Sequence, residues 1–355
     1  MKILLTGGGT AGHAWPVILV GSSLKKNRRA DILYIGSRQG IEKELAKKFE
    51  IPFIKIHSGK RRTYLSISNV WDIFKIFLGI IEAFFILIWF RPQVIFAKGG
   101  YVTVPILWWL KVFKIPLVIH ESDVVMGRAN LWISRKASKI CLGFPIEFNK
   151  DNLPLDKLVY TGIPVQTDFL QTQIMSGERP KLLITGGSQG SSKINDLIYE
   201  ILPDLLTKYD VSHLTGKRDY EKFKTFQDTH YHLYDFTLEM PKLMRDADLV
   251  VTRAGAGTLM EVAATSKPAI IIPLESAAGE HQEANAQVFT SKNAAVVVSE
   301  KNLTANSLRT IVDNLIQDKE MRQLLSHHAK SLYCQNATED IIDIIFETSQ
   351  KKDEN

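Results

Sequence analysis

The feature that most constrains this 355-residue chain is an opening that occurs twice. A short apolar run, Ile3 to Leu5, leads into Thr6-Gly7-Gly8-Gly9-Thr10-Ala11-Gly12-His13. The same order returns at Lys181-Leu182-Leu183-Ile184-Thr185-Gly186-Gly187-Ser188-Gln189-Gly190. A buried strand that runs into a glycine loop and then a helix begins a nucleotide-binding βαβ unit. Two copies predict two Rossmann-like units in one chain, and the length suits two cores better than one.

Other apolar runs extend the pattern. Ile32–Ile35, Val94–Ala97 and Pro116–Ile119 read as buried strands of the first unit, and Val211–Leu214, Leu249–Thr252, Ala269–Ile272 and Ala295–Val298 as those of the second. Helical stretches lie between them, so the fold class is α/β with parallel sheets. A helix should follow the first loop, with Pro16 near its first turn, where a missing N–H costs nothing. Gly162-Ile163-Pro164 reads as a stiff join. Each strand-to-helix turn is expected to aim amides and a helix dipole into a cleft between the units.

With 45% hydrophobic and 23% charged residues the chain is globular rather than disordered. Cys141 and Cys334 lie far apart, which fits a reduced protein without a disulfide framework or a zinc site. Lys2 is followed by only three apolar residues before Thr6, too few for an export signal. A net charge of +6 suits an acidic partner. No basic run interleaved with aromatics points to nucleic acid, so anionic lipid and phosphate-bearing substrates lead. Ile73 to Phe90 is almost wholly apolar and near the lower limit for a membrane span, although Lys75, Gly79 and Glu82 interrupt it. A span there would leave Val94–Ala97 on the wrong side. Two readings stand: a helix partly buried and partly lipid-facing, and a plain core helix.

Several residues carry chemistry. Gly7, Gly9 and Gly12 satisfy the dinucleotide spacing, a weak signal alone. The second strand ends Ile35-Gly36-Ser37-Arg38 without the acid that would hold an NAD ribose, which weakens a dehydrogenase reading, as does the second loop. His13 follows the first loop and can act as general base, since an ordinary histidine titrates near neutral pH; the bland alternative is packing at a helix start. In the second loop, backbone amides and the Ser188 hydroxyl could hold a diphosphate without a metal. Arg253-Ala254-Gly255-Ala256-Gly257-Thr258 is a further small-residue turn into a helix, and Glu261 lies about one turn inside it. That carboxylate can accept from both ribose hydroxyls, or it is an ordinary solvated acid. Gln282 and Asn285 stand three apart and can share a face toward sugar hydroxyls, or simply cap.

Taken in order, Gly8-Gly9-Thr10-Ala11-Gly12-His13, Lys98-Gly99-Gly100-Tyr101, His120-Glu121-Ser122-Asp123, Gly186-Gly187-Ser188-Gln189-Gly190 and Arg253-Ala254-Gly255 resemble the MurG family. These are the UDP-N-acetylglucosamine transferases that convert lipid I to lipid II in peptidoglycan synthesis. The resemblance runs from about residue 2 to about residue 345, and Ser58-Gly59-Lys60-Arg61-Arg62 with the His-Glu-Ser-Asp form is similar to the Gram-positive branch.

The resemblance implies a GT-B fold, two Rossmann-like domains whose parallel sheets face an interdomain cleft. Residues 1–162 would face acceptor and membrane, 163–333 would bind UDP-GlcNAc, and 334–350 would form a helix returning to the first domain. It implies His13 as the catalytic base. Donor contacts would come from Ser188, Gln189, Gly187, Asn195, Phe236, Thr237, Glu261, Gln282, Gln166, Thr10 and Gly12. The lipid-linked acceptor would meet Tyr101, Glu121, Asp123 and Asn130. An apolar patch of Ile76, Phe77, Ile80, Phe84 and Trp108, with Lys60, Arg61 and Arg62 nearby, would dock peripherally on the anionic cytoplasmic face of the cell membrane. No cofactor or metal is implied. Three positions depart from the family pattern: Ala11 for a usual glycine, Asp123 for a frequent Asn, and Gln166 for an Arg that helps hold the donor diphosphate.

The expected reaction is a single inverting displacement by the acceptor's C4 hydroxyl on UDP-GlcNAc. Rival readings are a UDP-GlcNAc epimerase, a glycolipid-forming glycosyltransferase and a non-catalytic nucleotide-sugar binding protein.

Overall fold

A computed structural model of the chain describes residues 1–9, 11–28, 30–38, 40–59, 67–149, 153–171, 179–187, 190–275 and 280–350. The chain divides into two compact units: Met1–Pro164 together with the C-terminal stretch from Asn336, and Val165–Gln335. Each is an α/β domain built on one parallel sheet, the pair of domains expected of a GT-B fold.

The sheet of the first unit has the order β3-β2-β1-β4-β5-β6-β7. Its strands are β1 (Lys2–Thr6), β2 (Asp31–Ser37), β3 (Phe53–Ile56), β4 (Val94–Ala97), β5 (Leu117–Glu121), β6 (Lys139–Leu142) and β7 (Leu158–Tyr160). The second sheet has the order β10-β9-β8-β11-β12-β13. It contains β8 (Lys181–Thr185), β9 (Asp210–Leu214), β10 (Tyr231–Tyr234), β11 (Leu249–Thr252), β12 (Ala269–Ile271) and β13 (Val296–Val297). In both sheets the repeated opening supplies a central strand: Ile3 pairs with Ile32 on one side and Val94 on the other, and Leu182 with Val211 and Leu249. Helices cover both faces, so the central strands bury their residues on both sides and read as unbroken apolar runs.

In each sheet the strand order reverses beside that central strand, between β1 and β4 and between β8 and β11. Loops diverge at such a point and leave a crevice at the carboxyl ends of the strands, where α/β proteins bind ligands.

Three helices bear on the sites. Helix α1 (Ala11–Arg28) begins directly at the first loop, so Pro16 lies in its second turn rather than at its start. It cannot donate to the Gly12 carbonyl, so one backbone bond is missing in the turn that carries His13. Helix α2 (Glu42–Lys48) follows β2. Helix α3 (Ile67–Phe90) crosses from β3 to β4. Ala83 and Leu87 pack into the sheet core, and Glu82 accepts from the His57 amide at 2.6 Å. The opposite face of α3 is not a core face: Trp71 is 63% exposed, Phe77 59% and Phe85 64%. This removes the plain-core-helix reading. The C-terminal helix Ala337–Gln350 adds Ile341, Ile342 and Ile345 to the core that holds Ile3, Leu5 and Ile18.

Candidate active site

The first crevice is built by the loops after β1, β4 and β5. Gly7, Gly8 and Gly9 take positive φ angles, and at Gly9 (φ 96°) a Cβ would lie 2.6 Å from the Tyr101 ring. Tyr34 donates its hydroxyl to the Gly7 carbonyl at 2.6 Å, and the Lys98 amide donates to the Thr6 carbonyl at 2.9 Å. The loop is thus held from both sides. It delivers His13, half-buried in the first turn of α1, to a cluster with Lys98 and Glu121.

Glu121 ends β5. Its carboxylate accepts from the amides of Asp123 (3.1 Å) and Gly127 (2.9 Å) and from the Asn130 side-chain amide (2.9 Å). Asn130 is buried beneath Gly99, whose Cβ would fall 2.5 Å from its Oδ1, and that oxygen has no partner among the described residues. Tyr101 and Asp123 lie half-buried at the same edge. The structure therefore brings His13, Tyr101, Glu121, Asp123 and Asn130 to one end of one sheet.

The electrostatics change the expectation for His13. Burial, reinforced by the Lys98 ammonium and opposed by Glu121, pushes its pKa down to about 4. It is a neutral imidazole at physiological pH, able to accept a proton but a weaker base than an ordinary histidine. Lys98 itself is buried, and burial lowers its pKa against the pull of Glu121 and Asp123. His120, fully buried, is held near 3 by burial and by Lys98. Its Nε2 donates to the Gly162 carbonyl at 2.9 Å, the only role open to it beside an acceptor oxygen.

A second correction concerns the first loop. The Gly9 amide, expected to point at a ligand, already donates to the Glu42 carboxylate at 2.6 Å. Of the loop residues assigned to the donor, Gly12 is exposed with open space beside it, and Thr10 lies outside the described residues.

The second crevice is built by the loops after β8 and β11. Ser188 and Gln189 lie outside the described residues. Gly187 (φ 81°) meets nothing within 4 Å at the position of a Cβ, and neither do Gly255 and Gly257. The helix Ala256–Thr265 starts at Gly255 without a side-chain cap. The amides of Ala256, Gly257 and Thr258 have no intrahelical partner by the geometry of any helix start, and the dipole adds to their pull on an anion. The neighbouring helix Ser192–Leu206 differs, because Ser191 caps it.

Around this opening the polar side chains are tied to one another. Buried Arg253 donates to Ser191 Oγ (2.7 and 2.9 Å) and to the carbonyls of Ile272 and Pro273 (3.1 Å each), and it pairs with Glu300. Asn285 donates to the Ala254 carbonyl at 3.1 Å, so it fixes the turn rather than offering its amide to a sugar. Asn195, expected to touch donor, is likewise committed. Its amide donates to the Thr215 carbonyl (2.9 Å) and Asp219 (2.8 Å), and its oxygen accepts from His213 (3.1 Å). It positions the loop from beneath.

Glu261 sits half-buried in the helix Ala256–Thr265, and no donor among the described residues reaches its carboxylate. Burial alone pushes its pKa up to about 8. Gln282 is half-buried with its oxygen on the Leu274 amide at 3.1 Å. Phe236, 48% exposed, and Thr237 follow β10. Gln166 precedes the short turn Thr167–Leu170, which packs against the helix Ala256–Thr265.

On the first unit, Phe77 and Trp108 are exposed, whereas Ile76, Ile80 and Phe84 are half-buried. Phe84 packs against Trp109 with the ring centroids 4.8 Å apart and the rings tilted by 47°. The exposed stripe of α3 runs instead through Trp71, Phe74, Phe77, Ile81, Phe85 and Trp89. Lys60, Arg61 and Arg62 lie outside the described residues. Sequence reasoning did not single out Glu42, the Arg253 network or Tyr34. The only available signal for Glu42 was an acid five residues past the second strand, near where a dinucleotide enzyme keeps one.

Residues 3–142 match the glycosyltransferase family 28 N-terminal domain, and residues 181–343 match the glycosyltransferase family 28 C-terminal domain. The chain is 37% identical, over 90% of its length and 92% of that protein's, to a UDP-N-acetylglucosamine–N-acetylmuramyl-(pentapeptide) pyrophosphoryl-undecaprenol N-acetylglucosamine transferase from Bacillus thuringiensis strain Al Hakam. It is 38% identical, over 97% of both chains, to a transferase of the same name from Clostridium perfringens. A crystal structure of Acinetobacter baumannii MurG superposes with a TM-score of 0.76 at 24% identity, covering 98% of this chain and 99% of that one.

Proposed function

The chain belongs to the MurG family within glycosyltransferase family 28, a family of UDP-sugar glycosyltransferases, and on that premise we propose the particular reaction it performs. It moves GlcNAc from UDP-GlcNAc to the C4 hydroxyl of the muramyl sugar of lipid I, with inversion, and so makes lipid II. The second unit holds the donor. The diphosphate sits against the open helix start at Gly255–Thr258, and Glu261 accepts from the ribose hydroxyls. Gly187, Gln282, Phe236 and Thr237 complete the donor site, with Gln166, Ser188 and Gln189.

The first unit holds the acceptor through Tyr101, Asp123 and the edge fixed by Glu121 and Asn130, and His13 takes the hydroxyl proton. The acceptor's own phosphates bring negative charge toward His13, which raises its basicity as the complex forms. Positioned proton abstraction contributes roughly 10²–10⁴-fold. The helix dipole and free amides at Gly255–Thr258 stabilise the charge that gathers on departing UDP.

The observation that carries this reading is Glu261. A half-buried carboxyl with a raised pKa and no donor among the described residues is poised for a ligand that brings two hydroxyls. Lipid I-dependent release of UDP from UDP-GlcNAc tests it, with a β-linked disaccharide as product. No release by folded protein would remove the reading, and UDP release that needs no acceptor would favour an epimerase.

The aromatic stripe of α3 lies on the cytoplasmic face of the cell membrane in this proposal, with the protein bound peripherally. Phe74 and Phe77 reach its exposed side. Cosedimentation with anionic vesicles should weaken for Phe77→Ser, and equal binding by the variant would contradict the assignment.

A further inference from the structure

Arg253 directly follows β11 and leads into the bare helix start at Gly255, where a cation would ordinarily be read as a phosphate contact. Its bonds give it another role. A guanidinium carries five N–H donors. In Arg253 all five are spent. Nε and one Nη2 hydrogen go to Ser191 Oγ at 2.9 and 2.7 Å, those on Nη1 to the carbonyls of Ile272 and Pro273 at 3.1 Å each, and the last to the Glu300 carboxylate. The side chain is buried and its charge is already matched by Glu300.

These partners lie in different loops of the second crevice. Ser191 ends the glycine loop after β8 and caps the helix Ser192–Leu206. A Cβ on Gly186 would fall 2.3 Å from the Ser191 amide nitrogen, so holding Ser191 also holds the loop where it turns back. Ile272 and Pro273 leave β12, and the next residue, Leu274, donates its amide to Gln282 at 3.1 Å. The third loop is the turn of Arg253 itself, whose Ala254 carbonyl accepts from Asn285. One planar group thus ties the glycine loop, the open helix start and the segment that sets Gln282 to one another. A buried ion pair adds little net stability over apolar side chains of similar volume, so stability alone does not account for it. What the rigid fork supplies is direction, which a point ammonium or an apolar chain cannot give.

We propose that Arg253 is a positioning residue of the donor site, which touches no donor atom and locks the three loops in their donor-binding arrangement before UDP-GlcNAc arrives. The proposal rests on the donor reading above. Loops ordered in advance cost less to order on binding.

Hydrogen exchange of the free, full-length protein and calorimetric titration with UDP test this. The amides of Gly190, Leu259 and Leu274 report the three loops, being bonded to the Gly187 carbonyl, the Gly255 carbonyl and the Gln282 side chain. In Arg253→Met all three should exchange at least about tenfold faster, while β1 and β5 of the first unit keep their protection. The Kd for UDP should rise roughly 10–100-fold as binding takes on the cost of ordering the loops. KM for UDP-GlcNAc should rise with it, and KM for the acceptor, which meets the other unit, should stay within about twofold. Equal rises in both would make Arg253 a general stability residue and overturn the proposal. Arg253→Lys keeps the charge, so a direct phosphate contact would survive in it, whereas the fork would not. It should lose UDP affinity nearly as far as Arg253→Met, and it decides the matter alone if that variant does not fold. A lysine variant that binds UDP like wild type overturns the proposal, as do loops that loosen without loss of UDP affinity. A wild type that binds no UDP counts against the donor reading, and the exchange arm still decides whether Arg253 holds the loops.

Discussion

In the first unit the Tyr34 hydroxyl holds the Gly7 carbonyl, the Glu42 carboxylate takes the Gly9 amide, and the Tyr101 ring closes over Gly9. In the second unit the corresponding glycine loop and its neighbour after β11 face open space at Gly187, Gly255 and Gly257. Both loops grow from a central strand ending in Thr-Gly-Gly, at the point where the strand order reverses. The shared motif sets the backbone path and the direction of the helix. Side chains arriving from other strands and helices decide whether the cradle receives a ligand or is already full. The first loop is therefore held by side chains at Gly7 and Gly9 just before His13, and the second unit leaves open space at Gly187, Gly255 and Gly257.

That contrast can be broken most decisively at His13. His13→Ala should lower kcat by roughly 10²–10⁴-fold while the Kd for UDP stays unchanged, because the proposed base and the proposed nucleotide site belong to different units. A matching loss of UDP affinity would dissolve the division of labour.

Glu261 tests the receptor side, with a smaller effect. Glu261→Gln should weaken UDP binding roughly 10–100-fold at pH 8.5, the range for hydrogen bonds to a charged group. The pH dependence follows from its raised pKa of about 8. Below that value the free protein carries a neutral carboxyl, whereas two ribose hydroxyls favour the ionised form. UDP affinity should then rise about tenfold per pH unit up to about 8 and level off above it. The Gln variant should show a flat profile, and a flat profile in wild type would argue against Glu261 as the ribose partner.

Paired glycine substitutions sharpen the comparison further. Gly9→Ala forces a side chain into a left-handed conformation against the Tyr101 ring, and should lower stability by about 1–3 kcal/mol. Gly255→Ala meets nothing and has an ordinary φ of −69°, so its effect on stability should stay within about 0.5 kcal/mol. Thermal denaturation of the two variants reads the difference, and equal losses would mean the loops are equally packed.

The smallest effect concerns His13 and pH. A pKa depressed to about 4 leaves the base form intact as pH falls, until the medium approaches that value. At saturating donor, kcat/KM for the acceptor, which reports the groups of the protein before the acceptor binds, should change less than about twofold between pH 7 and pH 5.5, where an ordinary histidine would already be mostly protonated. A fall centred near 6.5 would mean that burial and Lys98 do not govern His13.

Much of the architecture was legible in the chain. Val94–Ala97 and Leu249–Thr252 were readable to the residue, because central parallel strands are buried on both faces and appear as unbroken β-branched and apolar runs. The outer strands were not. β3 (Phe-Ile-Lys-Ile), β10 (Tyr-His-Leu-Tyr) and β7 are short and carry polar or half-exposed residues, so their pairing shows only once a neighbour is in place. Helix α3 shows the same limit in reverse. Its apolar run announced a helix, yet which face packs on the sheet was set by Ala83, Leu87 and the Glu82 bonds to His57, and the exposed stripe fell partly off the residues first chosen.

The sequence by itself determined two glycine-loop α/β units and the family they belong to, because strand periodicity and Thr-Gly-Gly openings are local properties of consecutive residues. Tertiary structure alone decided what fills each loop and how its side chains are charged. Glu42 reaches Gly9 from 33 positions away, Asn195 and Asn285 turn inward as struts, and His13 and Glu261 have pKa values moved in opposite directions by burial. Burial always penalises the charged form, which is the protonated one for an imidazole and the ionised one for a carboxyl, and burial is a property of the packed chain.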